Sequence, residues 1–131
     1  MSKFLKFFPK QQQKDVVNDL FGYKEYVAIL TQTGTSAPVA TVLNKNAPNY
    51  LGDVTFTYTG VGIYEGTLTG KLTVGKTAYD GNVMGTAFMS VVEGVTAGSS
   101  FTITTKNLVG GVLTVANAVL SSTLITIKVY N

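Results

Sequence analysis

The run Val54-Thr55-Phe56-Thr57-Tyr58-Thr59 sets an apolar side chain against a threonine at every second position. Side chains alternate faces along a strand and not along a helix, so this pattern gives one dry and one wet face only when the chain is extended. Ser121 to Tyr130 does the same, with Thr123, Ile125, Ile127 and Val129 expected to be buried opposite Leu124, Thr126, Lys128 and Tyr130. Phe101 to Thr104 is a shorter example. No 10–15 residue helical pattern separates these runs, which excludes an α/β arrangement with crossover helices.

The remaining strands are read from the same period. Lys24 to Thr31 places Tyr26, Ala28 and Leu30 on one face and Val27 and Ile29 on the other. Val39 to Leu43 follows a polar loop at Gln32 to Pro38. Ile63 to Leu68 returns from Gly60-Val61-Gly62 as the second arm of a hairpin, with Tyr64 expected inward. Asn82 to Val92 is β-prone, and the set Met84, Thr86, Phe88, Ser90 and Val92 is expected inward because it holds the large phenylalanine. Gly70 to Lys76 is a short strand or an extended loop, and Asn107 to Asn117 is ambiguous around Gly110-Gly111. The expected fold is all-β: a small antiparallel β-sandwich or compact barrel of about 7–9 short strands, with a short N-terminal arm or helix.

Residues 1–22 differ in character from 23–131, and the chain divides there into an arm and a β-sandwich domain. Phe4, Leu5, Phe7 and Phe8 cluster beside lysines, Pro9 and a glutamine tract follow, and residues 15–21 have the spacing of about two helical turns ending at Gly22. Each phenylalanine gains about 1.5–3 kcal/mol on full burial, so the cluster calls for cover. Phe4, Leu5, Phe7, Phe8, Leu20 and Phe21 are the candidate anchors, either folded back on the domain or ordered against another subunit. The apolar run is broken by Lys6 and stops at Pro9, unlike a signal peptide. No stretch approaches the ~20 apolar residues of a membrane span.

Charge and residue type narrow the chemistry. The net charge of +3 divides into +2 for residues 1–21, with four lysines against two aspartates, and +1 for the rest, with six lysines against five carboxylates. There is no arginine, the side chain whose planar fork suits phosphate and base edges, so nucleic-acid binding is not expected. There is no cysteine and no histidine. Disulfides, thiolate or imidazole metal sites and the common base-activated nucleophiles are thereby excluded. Of the carboxylates Glu25, Asp53, Glu65, Asp80 and Glu93, Asp53 and Glu65 are the pair a sandwich could bring together for glycoside hydrolysis, but nothing in their spacing favours it. Asp80-Gly81-Asn82 reads as a tight turn, not a calcium loop. No catalytic, cofactor or metal site is expected.

Tyr50, Tyr58, Tyr64 and Tyr79 fall in the loop-rich half of the body. Packing of aromatics across strands accounts for them, and Tyr50 and Tyr79 are the candidates for exposed recognition.

Tyr26 to Lys45 (YVAILTQTGTSAPVATVLNK), Thr57 to Gly70 (TYTGVGIYEGTLTG) and Ile125 to Asn131 (ITIKVYN) resemble small β-rich structural proteins of tailed phages that infect Bacteroidetes, including the crAss-like group. Some of these are head fibre or capsid-decorating proteins of the virion. The resemblance spans most of residues 23–131. It implies a viral, non-enzymatic, homo-oligomeric subunit located in the virion, a homotrimer in the first instance, with capsid or other virion proteins as partners. The matching positions Gln32, Thr33, Gly34, Thr35, Ala37, Pro38, Gly60, Gly62 and Tyr64 are implied to be turn and packing residues. The extra segment Met1 to Phe21 is where attachment would lie. The alternative is a host-surface or glycan-binding β module.

Overall fold

A computed structural model describes residues 22–83 and 85–131, which form nine strands and no helix. They are β1 (Tyr23–Thr31), β2 (Val39–Val42), β3 (Thr55–Gly60), β4 (Ile63–Thr67), β5 (Thr77–Gly81), β6 (Ala87–Glu93), β7 (Ser100–Val109), β8 (Val112–Val115) and β9 (Thr123–Tyr130). One antiparallel sheet has the order β2-β1-β9-β5, and the other β3-β4-β7-β6 with β8 also paired to β7. The two sheets pack as an open sandwich; among the described residues no strand pairing closes them into a barrel. The N-terminal arm, its helix at 15–21 and all six candidate anchors lie outside the described residues, which begin at Gly22.

Register explains the core. β1 pairs with β9 so that Tyr26 lies opposite Ile127 and Ala28 opposite Ile125, which puts both apolar sets on one face. Tyr26, Ala28, Leu30, Ile125 and Ile127 are buried there, facing Tyr64, Phe101 and Ile103 of the second sheet. Leu51, Leu68, Leu72 and Leu120 close the sandwich from the loops. The Phe101 ring links the layers: Tyr79 of β5 lies 5.9 Å from it, and Phe56 of β3 meets it edge-on at 5.9 Å, an arrangement that adds to simple burial. Gly66 lies under that ring, where any Cβ would collide with it.

Two expectations are corrected. On β6 the inward residues are Met89 and Val91, while Phe88 is 49% and Val92 54% exposed. The pairing with β7 decides this, because Met89 and Val91 sit opposite the buried Thr105 and Ile103, and Phe88 opposite Lys106. Side-chain size pointed to the wrong face. Second, Asp80 and Gly81 do not turn; they end β5, opposite Thr126 and Ile125 of β9. The Met89 methyl group fills the space beside Gly81, where a Cβ would stand. Of the two forms expected for residues 70–76, a strand does not occur and the segment is a loop, with the short strand beginning at Thr77.

One buried amide joins the parts. Gln32, at the end of β1, donates from Nε2 to the carbonyls of Gly34 (2.9 Å) and Ser36 (3.0 Å). Its Oε1 accepts from the Tyr64 hydroxyl and from the Ala118 N–H, both at 2.7 Å. A single side chain thus holds the 33–36 turn, the opposite sheet and a non-glycine residue at φ +59°.

Candidate functional site

β7 is longer than the sheet that contains it. One of its edges pairs with β4 only as far as Thr104, and the other with β6 only as far as Asn107. β8 pairs with it from Lys106–Val115 to Val109–Val112, and beyond Asn107 is its one strand partner among the described residues. The end of the hairpin is therefore a two-stranded ribbon standing clear of the sandwich. Gly110 and Gly111 both have positive φ, +57° and +81°, which is what the two-residue turn of type I′ requires.

The base of the ribbon is rigidly built. Thr105 is buried, its N–H donates to the Gly62 carbonyl at 2.7 Å, and its hydroxyl donates to the Ala116 carbonyl at 2.8 Å. The Gly62 N–H donates to Asn117 Oδ1 at 2.8 Å, and Asn117 Nδ2 reaches the Tyr58 hydroxyl. A Cβ on Gly62, whose φ is +67°, would stand 2.6–2.8 Å from backbone atoms of Thr105 and Ala116. Only glycine fits where the β3–β4 turn meets the hairpin.

The ribbon itself is apolar on both faces. Leu108 and Leu113 share the outer face with Val115 and, across β7, Phe88, with Lys106 between the last two; the four apolar side chains are exposed. Val109 and Val112, on the other face, are 62% and 63% exposed. Asn107 to Asn117 contains no charged residue. A hollow of about 270 Å³ opens between Phe88, Met89, Ser90, Thr104, Lys106 and Leu113. An exposed apolar patch with so few polar interruptions is the usual mark of an interaction surface.

The carboxylates do not converge on chemistry. Asp53 is exposed, accepts the Tyr50 hydroxyl at 2.6 Å and lies 3.9 Å from Lys45 Nζ. Glu65 belongs to the middle of β4, between Thr57 and Thr102 on the outer face of its sheet. Asp80 is on β5, and Glu93 ends β6. No group of three metal-ligating side chains occurs among the described residues, and no described helix is long and apolar enough to cross a membrane. Lys24, Lys71 and Lys76 surround a hollow of about 340 Å³ beside Asn131, at the pole where β1 begins.

The tyrosines expected at an exposed surface are instead half-buried. Tyr50 and Tyr79 both lean on the core, Tyr50 at 6.3 Å from the Tyr26 ring and Tyr79 on Phe101. Burial pushes the Tyr26 hydroxyl up to about 12, with Asp53 adding to it. Tyr50 is raised by burial and by its bond to Asp53, and Tyr79 by burial and Glu93. These hydroxyls stay protonated at neutral pH and supply no base.

Comparison with known proteins finds no match: no family model, no curated protein and no solved structure is similar to this chain. The ribbon was the part that sequence reasoning left ambiguous. Its signal was present, since a glycine pair between Leu108-Val109 and Val112-Leu113 matches a type I′ hairpin flanked by strand formers.

Proposed function

We propose that the protein is a non-enzymatic structural subunit that works by assembling with copies of itself and attaching to a larger body. The observation that carries this reading is the two-faced apolar ribbon on a rigid base, uncharged from Asn107 to Asn117. Its exposed valines and leucines disfavour a lone monomer in water, each gaining up to about 1.5–3 kcal/mol when covered. The scattered carboxylates and protonated tyrosines add support, as they offer no paired acid and base. The resemblance of residues 26–45, 57–70 and 125–131 to phage structural proteins makes a head fibre or capsid-decorating subunit of the virion the preferred setting. Residues 1–21 are then the attachment arm, joined to the domain at the pole away from the ribbon.

Sedimentation of the full chain across micromolar concentrations tests the assembly: a discrete oligomer is expected, and a monomer throughout overturns the reading. Removing residues 1–21 is expected to leave a folded oligomer that no longer joins particles. Unchanged incorporation would remove the arm's role.

A further inference from the structure

We infer that β8 pairs with β8 of a second copy, antiparallel about a two-fold axis through Thr114, so that the β3-β4-β7-β8 side of the sheet runs on into its neighbour. The inference rests on the reading that the chain self-assembles and says which atoms do it.

The backbone of β8 sets the pattern. The Ala116 N–H donates to the Thr105 carbonyl, and hydrogen-bonded pairs recur at every second residue of an antiparallel ladder. The bonded pairs of the hairpin are therefore Thr105–Ala116, Asn107–Thr114 and Val109–Val112. Leu113 and Val115 point their N–H and C=O groups the other way, along the free edge. All four residues of β8 are exposed, and no other strand pairs with that edge among the described residues.

Exposed edges are ordinarily protected by charge, proline or a bulge. The other edges of this molecule have such devices: Pro38 stands before β2, Asp80 lies in β5, Glu93 ends β6, and a bulge breaks β3 between Tyr58 and Gly60. β8, Val-Leu-Thr-Val, has none of them. The same strand is complementary to itself. Centred on Thr114, the pairing sets Thr114 against Thr114 and Leu113 against Val115 of the other copy, an apolar and a hydroxyl contact of the kind that stabilises antiparallel pairs. About four hydrogen bonds form. Lys106 lies one strand inward, so the two lysines stand about 16 Å apart, across three strand spacings and two residues of offset, beyond the physiological screening length. A two-fold contact needs such self-complementarity, which an unrelated partner would not require of this strand.

The chain has no cysteine, so Thr114→Cys provides a direct test. Thr114 would face its copy as a non-hydrogen-bonded pair, at a Cα separation of about 4.5 Å that a disulfide spans. Under mild oxidation the full-length variant is expected to form a covalent dimer at least about tenfold faster than Thr41→Cys on the edge strand β2, because pairing raises the effective concentration. Val115→Pro removes an outward N–H and no bond to β7, so it is expected to abolish the excess cross-linking while the monomer stays folded; Leu113→Lys should do the same by charge. Cross-linking no faster than the β2 control overturns the inference. An odd-numbered oligomer, such as the trimer the resemblance implies, without Thr114 cross-linking overturns the pairing and leaves assembly standing, whereas a monomer overturns both.

Discussion

The pair β1 and β9 and the pair β7 and β8 are both antiparallel ladders rich in Val, Leu, Ile and Thr, yet they have opposite fates. In β1 and β9 one face of each strand is dry: Tyr26, Ala28, Leu30, Ile125 and Ile127 are buried. In the ribbon the same chemistry continues past the last strand able to cover it, and Leu108, Val109, Val112 and Leu113 remain in water. Hydrophobicity alone does not say whether a strand is core or contact. The difference lies in what is opposite: a second sheet for β9, and none of the described residues for β8. The core is where stability resides, and the ribbon is where substitutions should leave the fold alone and alter association.

The sharpest way to break this division is at the joint. Gly62→Ala places a methyl group against the backbone of Thr105 and Ala116 at a φ of +67°. Backbone cannot yield as a flexible side chain can, so a loss of roughly 3 kcal/mol or more is expected in urea unfolding. Gly110→Ala, also at positive φ but in open space, is expected to cost only about 1 kcal/mol. Equal losses would show that the ribbon's base is not the rigid element described above.

Next in size is truncation on the two ladders. Ile127→Ala empties a fully buried site and should cost about 2–5 kcal/mol. Leu113→Ala, measured where the protein is dilute enough to be monomeric, should stay within about 0.5 kcal/mol and show its effect in the concentration dependence of the oligomer. Between these lies Tyr64→Phe. It leaves Gln32 Oε1 with the Ala118 N–H as its remaining partner, and a loss of about 1–2 kcal/mol is expected.

How much of this was legible in the sequence follows from the same contrast. Ile125, Ile127 and Val129 were assigned correctly because a threonine or lysine stands between them at every step, and Tyr64 because it was the larger choice on an otherwise undecided strand. β6 failed because both of its faces carry apolar residues, and only the pairing of Val91 with Ile103 selects one. β5 was not anticipated because Thr-Ala-Tyr-Asp-Gly contains a turn dipeptide, and it is a strand through its partner β9. The ribbon was ambiguous for a related reason: its residues have no wet face, so alternation had nothing to report. Gln32 gave no sign of its role, since a glutamine beside a turn is ordinarily solvated and its clasp depends on contacts 32 and 86 residues away.

The smallest effect at neutral pH concerns the other buried tyrosine. Tyr26 has no exposed surface, and its hydroxyl finds no hydrogen-bond partner among the described residues. Tyr64 spends its hydroxyl on Gln32, whereas Tyr26 buries one that gains nothing, so Tyr26→Phe is expected to be neutral or stabilising by up to about 1 kcal/mol. The pH dependence separates this from simple tolerance. The hydroxyl of Tyr26 is pushed up to about 12 from 10 by burial and by Asp53. The folded state therefore keeps a proton that the unfolded chain has released. Its contribution is present in full below pH 10 and is lost as the pH rises towards 12. The wild-type protein should lose stability through that window, with Tyr50, Tyr64 and Tyr79 acting in the same direction because all three are raised, foremost by burial. In thermal melts between pH 7 and 12, the advantage of Tyr26→Phe should widen above pH 10; an advantage that stays flat would mean that Tyr26 is not the buried, unpaired hydroxyl that sets the two tyrosines apart.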